Sequence, residues 1–114
     1  MTQEDKDLLL KDLCARLPYG VWIERKLKSC KFGAKCMLNA HDISAIEREQ
    51  YEFCKPYLFP ISSMTDEQKE DMIKSSCGIG SDKNVFDWWN KNHFDYRGLI
   101  PMGLANDATG KDIY

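Results

Sequence analysis

Four residues in the first half of the chain carry side chains that zinc accepts: Cys30, Cys36, His41 and Cys54. Structural zinc sites use tight C-x2-4-C pairs, because one turn must aim two thiolates at a single ion. Five residues separate Cys30 from Cys36, a looser gap. The four therefore read first as cysteines packed separately along strands, with His41 on the surface, and no metal is expected. Cys14 and Cys77 bring the count to five, odd and irregularly spaced, which suits a reducing, cytoplasmic compartment better than a secreted disulfide scaffold.

Nucleophilic catalysis needs Cys or Ser beside a base that a third group orients. Only His41 and His93 are available as that base. No Gly-x-Ser-x-Gly elbow and no Walker-type loop occurs. Gly78-x-Gly80 lacks both the third glycine and the preceding strand of a dinucleotide fingerprint. The acidic run Asp66, Glu67, Glu70 and Asp71 suits a helix N-terminus and a solvated face. The expectation is a non-catalytic protein without a cofactor.

The densest chemistry lies from Trp88 to Arg97, which holds two Trp, a Phe, a Tyr, a His, an Asp and an Arg. Aromatics dominate cores as well as binding hot spots, so two readings compete. In one, Asp95 and Arg97 tie the loop after a helix. In the other, Tyr57, Trp88, His93, Tyr96 and Arg97 are binding residues, with Trp89 in the core and Tyr96 and Arg97 at the surface before Gly98. A local basic stretch, Arg25, Lys26, Lys28, Lys31 and Lys35, offers contacts to nucleic acid. The net charge of −2 argues against broad binding of that kind.

These residues need elements to hold them. The 114 residues fit one domain, since domains commonly run ~100–150 residues. A hydrophobic fraction of 43 % is that of a globular chain. No apolar run approaches the ~20 residues of a membrane span, and the N-terminus lacks the pattern of a secretion signal. Thr2 with Asp5 predicts a cap for a helix over residues 3–17. Its apolar stripe would be Leu10, Leu13, Cys14 and Leu17, widened by Leu9, with Glu4, Asp7, Lys11 and Asp12 on the wet side. Pro18 and Gly20 end it.

Period-two alternation predicts a strand over 21–28, with Val21, Ile23 and Leu27 on one face and Trp22, Glu24, Lys26 and Lys28 on the other. A second strand follows over 34–39. Residues 41–50 fit a short helix opened by Ser44 and Glu47, or an approach to strand-like Tyr51 to Cys54. Pro56 and Pro60 bracket an extended Tyr57-Leu58-Phe59. Thr65 with Gln68 caps a surface helix running to Ser76. Cys77 to Lys83 is a connector, and a last helix spans 83–92 with Val85, Phe86, Trp88 and Trp89 as its buried side. From Asn106 the polar tail, 106–114, is expected to fray.

The predicted fold is a single α+β domain: a short, mostly antiparallel sheet packed by N- and C-terminal helices. Its expected core is Leu10, Leu13, Leu17, Val21, Ile23, Leu38, Phe53, Leu58, Phe86, Trp89 and Leu104.

Three stretches together carry a resemblance: Asp12 through Val21, Lys55-Pro56-Tyr57-Leu58 through Thr65, and Trp88 through Ala105 with its His93-Phe94-Asp95-Tyr96-Arg97-Gly98-Leu99-Ile100-Pro101-Met102-Gly103. The set resembles a family of small proteins from gut Bacteroides-type bacteria, often encoded near prophage and other mobile-element genes. It covers about half of the chain. Phe59 and Trp89 depart from the pattern, which more often has Arg and Leu. The family carries no established activity, so the resemblance implies a habitat and an architecture, not a reaction.

The expected role is an intracellular protein-interaction factor of a phage or mobile element, its partner another protein. A small-ligand or nucleotide-binding protein is the alternative, using Tyr57, Trp88 or Tyr96 with Arg97. A nucleic-acid binder is the third reading.

Overall fold

The computed structural model describes residues 2–76, 81–111 and 113–114. Helix α1 runs Gln3–Arg16, capped as expected: the Thr2 hydroxyl accepts from the Asp5 amide at 3.1 Å. Acidic Glu4 and Asp5 and basic Arg16 sit at the ends the helix dipole favours. The chain then passes through a 3-10 turn, Leu17–Tyr19, to Gly20 at φ 80°. Only glycine takes that angle without strain, and a Cβ there would press to 3.3 Å of the Met37 sulfur.

Leu9 and Leu13 of the expected stripe are buried, but the rest of it is corrected: Asp12 and Arg16 are buried beside them, while Cys14 is exposed and Leu10 and Leu17 only half-buried. Asp12, assigned to the wet side, has no solvent exposure. The helix is rotated because two charged residues at i and i+4 neutralise one another inside.

Strands β1 (Trp22–Leu27), β2 (Ala34–Met37), β3 (Tyr51–Leu58) and β4 (Asn106–Asp107) form one sheet in the order β2-β1-β3-β4. β1 lies antiparallel to β2 and β3, whereas β4 runs parallel to β3. Ile23 pairs with Cys36 on one side and Pro56 on the other, which puts all three on the core face. The register slips between Lys26 and Leu27, and Leu27 is left 40 % exposed instead of continuing the buried row.

The ambiguous segment is helical: α2 spans Ala40–Glu47. Its start is not Ser44. Asn39 and Asp42 form a reciprocal capping box, each side chain accepting from the other's amide at 3.0–3.1 Å. Glu49, at φ 56°, turns the chain into β3.

Helix α3 (Asp66–Ser76) begins with the expected Thr65–Gln68 box, and α4 spans Ser81–Lys91. Of the expected connector, residues 77–80 lie outside the described residues.

Among the described residues, two apolar clusters hold the α+β domain. The larger joins Leu9 and Leu13 to Val21, Ile23, Leu38, Ile46, Cys54, Leu58, Leu99 and Leu104. The smaller is Met64, Trp88 and Phe94, with Phe59, Met72 and Trp89 against it. Of the expected buried side of α4, Trp88 is buried, Val85 and Trp89 are half-buried, and Phe86, expected in the core, is 47 % exposed. Phe53 is half-buried on the sheet's other face, paired with Lys26.

The tail is also corrected. β4 pairs with Tyr57 and Leu58, the Ala108 amide donates to the Leu58 carbonyl at 2.8 Å, and Ala108 is fully buried. The Tyr114 hydroxyl accepts from the Trp22 amide at 2.8 Å and donates to the Tyr57 carbonyl at 2.9 Å. Composition marks this tail as polar, yet backbone pairing at 106–108 and the Tyr114 side chain dock it on the sheet.

Candidate functional site

The five candidate binding residues fall in three separate places. Trp88 stacks on Phe94 with ring centres 5.5 Å apart, and its indole N–H donates to Asp71 of α3 at 2.7 Å. It is a strut between α3 and α4. His93 stacks on Tyr114 at 3.6 Å, on the side of the molecule where Tyr114 bridges β1 and β3. Burial, with Arg16 nearby, lowers the His93 pKa to about 4, so the ring is neutral near pH 7. Tyr57 sits at 7 % exposure on the sheet face opposite the helices.

Tyr96 and Arg97, expected at the surface, are instead half-buried, in an ionic network centred on the fully buried Asp12. Arg97 donates to Asp12 at 3.1 Å and to the Tyr96 hydroxyl at 2.9 Å, and that hydroxyl donates to Asn90 at 2.9 Å. Arg16 donates to the same Asp12 through Nε at 2.8 Å and Nη2 at 3.2 Å, and to the Phe94 carbonyl at 2.6 Å. Asp95 accepts from the Leu99 and Ile100 amides at 2.8 and 2.9 Å. The loop after α4 is thus tied internally by Asp95, while the Arg97 ion pair reaches back to α1. Two guanidinium groups on one carboxylate lock α1 to the loop, and the geometry matches the packing reading of this stretch.

The zinc-type residues also part company. Cys30 is exposed in the turn between β1 and β2, and His41 is exposed in the first turn of α2. Cys36 and Cys54 lie on β2 and β3, separated by β1. Among the described residues, no group of three or more His, Cys, Asp or Glu is placed to hold a metal ion. Between the two strands Arg25 reaches Asp42, which also accepts from the Tyr51 hydroxyl at 2.6 Å. Burial, then the Asp42 charge, pushes the Cys54 thiol up to about 12. Cys54 therefore stays a neutral thiol, poor as nucleophile or ligand.

The cleft that sequence reasoning missed lies between α1 and β3. Two adjoining cavities, about 220 and 330 Å³, share Leu9, Glu52, Phe53 and Cys54. One continues past Lys6 to Ile46 and Tyr51, the other past Asp5 to Met102 and Leu104. Leu9, Ile46, Cys54 and Leu104 are buried and give it an apolar floor.

Along this cleft β3 has a free edge. β1 covers its other side from Tyr51 to Pro56, but β4 joins only at Tyr57 and Leu58. Strand alternation fixes which backbone groups face the cleft. Leu58 turns its carbonyl to the β4 side, and Pro56 has no N–H to give to β1. Cys54 shares their parity, so its N–H and C=O face outward. Among the described residues, no backbone bond beyond the strand ladders engages 52–56. Pro56 was the available signal, since proline within a strand marks an edge.

Comparison with family models, curated proteins and solved structures finds no match to this chain.

Proposed function

We propose that the chain is a non-catalytic protein-interaction module that accepts an extended segment of a partner as an added strand on β3, inside the cleft roofed by α1. The observation that carries this reading is the unpaired edge at residues 52–56 lying beside an apolar-floored groove. An added strand gains main-chain hydrogen bonds from the edge, and alternate side chains gain pockets. Leu9 and Leu104 at the floor favour apolar residues at every second position of such a segment. The resemblance to Bacteroides-type mobile-element proteins supports an accessory role of this kind.

Selection of a random-peptide display library on the intact chain tests it. Binding peptides with alternating apolar residues are expected. Gln3→Trp, which fills the cleft from an exposed rim position, is expected to abolish their binding without changing the melting temperature. Peptides that bind Gln3→Trp as well as the parent chain would sink the reading.

A further inference from the structure

The sheet has a second surface, and its chemistry differs from that of the cleft. The face turned away from Ile23 and Cys54 carries Trp22, Glu24 and Lys26 of β1, Lys35 of β2, and Phe53, Lys55 and Tyr57 of β3. Lys111, from the docked tail, closes its edge over Tyr57. Each ring has a lysine over it. The Lys35 ammonium lies 5.7 Å from the Trp22 ring centre and 5.9 Å from that of Tyr57. The Lys55 ammonium is 5.9 Å from Phe53, and that of Lys111 5.5 Å from Tyr57.

The charges are only partly offset: Glu24 stands opposite both Lys35 and Lys55 in the ladder, and Lys111 lies near Asp107. Lys26 pairs with Glu52, but Lys35 and Lys55 form no ion pair among the described residues. Four lysines face Glu24 and Glu52 in a chain whose net charge is −2, so this face is positive while the rest of the molecule is negative. At the hairpin end, Phe32 stands 85 % exposed beside Lys31. The five-residue basic stretch seen in the sequence is thus re-sorted. Arg25 turns to the core side and Asp42, and Lys55 and Lys111 arrive from distant parts of the chain.

From this juxtaposition we infer that the open sheet face is a binding platform for single-stranded nucleic acid, a second site that borders the β3 cleft at Phe53 and Lys55. The occupant must offer flat π surfaces alternating with anionic groups at close spacing, and a single strand does both. A duplex keeps its base faces stacked inside and presents none to rings set in a sheet. Bases would stack on Trp22 and Phe53, both half-buried and fixed on the strands, while Lys35, Lys55 and Lys111 swing from the rings to the phosphates.

Fluorescence anisotropy of labelled oligo-rU and oligo-dT, titrated with the intact chain over a series of salt concentrations, tests the platform. Binding is expected to fall linearly in log–log form with salt, and Lys35→Ala is expected to reduce that slope by about 0.7, one phosphate contact on a single strand. Trp22→Ala is expected to weaken binding by about 5- to 100-fold, the range for losing one stacked base, with Trp22→Phe restoring most of it. Lys35 is exposed, so Lys35→Glu keeps the test open should Trp22→Ala fail to fold. Four outcomes would overturn the inference: no binding at low salt, equal binding by folded Trp22→Ala, preference for the duplex of the same sequence, or binding to phosphatidylserine vesicles in place of oligonucleotide.

Discussion

The two ends of α1 are held in opposite ways. Its C-terminal half is locked: Asp12 and Arg16 are fully buried, and Arg97 bridges to Asp12 across 85 residues of sequence. Its N-terminal half packs into the core through Leu9, and among the described residues its side-chain ties to the rest of the fold lie at the rim, where Lys6 reaches the Glu47 carbonyl at 3.1 Å and Glu49 at 3.6 Å. Between that half and β3 runs the cleft. A helix fixed firmly at one end can stand off from a sheet at the other without collapsing onto it. The difference teaches where to look for function: the locked end accounts for the dense polar residues, and the open end leaves hydrogen-bonding edge unused.

Breaking the lock should have the largest effect. Asp12→Ala leaves two guanidinium groups without their carboxylate, one of them with no exposure, and should cost ~3–5 kcal/mol in chemical denaturation, the scale for breaking a buried ion pair from one side. Arg97→Ala should cost less, about 1–3 kcal/mol, because Arg16 still satisfies Asp12 and the Arg97 side chain is already 17 % exposed. If Arg97 instead contacts a partner, the variant will lose binding at unchanged stability, and the lock will have been misread.

The locked end also carries the pH response. His93 has a folded-state pKa of about 4 against an ordinary 6.5, so the unfolded chain binds its proton first. Stability from this group is complete above the unfolded value and is lost as pH falls from there toward the folded value. Allowing for partial exposure, the loss should be roughly 1–3 kcal/mol. Melts across this acid range should show it, and His93→Gln should flatten the curve there. At the open end, Thr2→Ala removes one cap bond and should cost about 1 kcal/mol. A Thr2→Ala cost as large as that of Asp12→Ala would erase the contrast between the two ends.

Local signals were legible and distant ones were not. The Thr2 and Thr65 caps act as the sequence predicts, because a capping box is settled within four residues. The Asn39–Asp42 box was equally local, but the expected start at Ser44 and the strand-like residues after it obscured it. Asp12 and Arg16 could not be read as core, since an i,i+4 charge pair looks like a wet face until Arg97 arrives. Trp88 and Trp89 are neighbours of one type, and the partners that meet Trp88, Met64 and Phe94 in the core and the Asp71 carboxylate on α3, come from outside the helix. The tail looked frayed because composition does not record that Ala108 and Tyr114 meet β3. The cleft depends on strand order: β3 has a free edge only because β4 is two residues long.

Residue-resolved amide hydrogen exchange along β3 tests the free edge most directly. In the unliganded chain, the Cys54 amide should exchange faster than those of Phe53 and Lys55, which face β1, and a selected cleft peptide should slow it selectively. A Cys54 amide as protected as its neighbours before any peptide is added, or unchanged after peptide saturates the chain, would contradict strand addition at this edge.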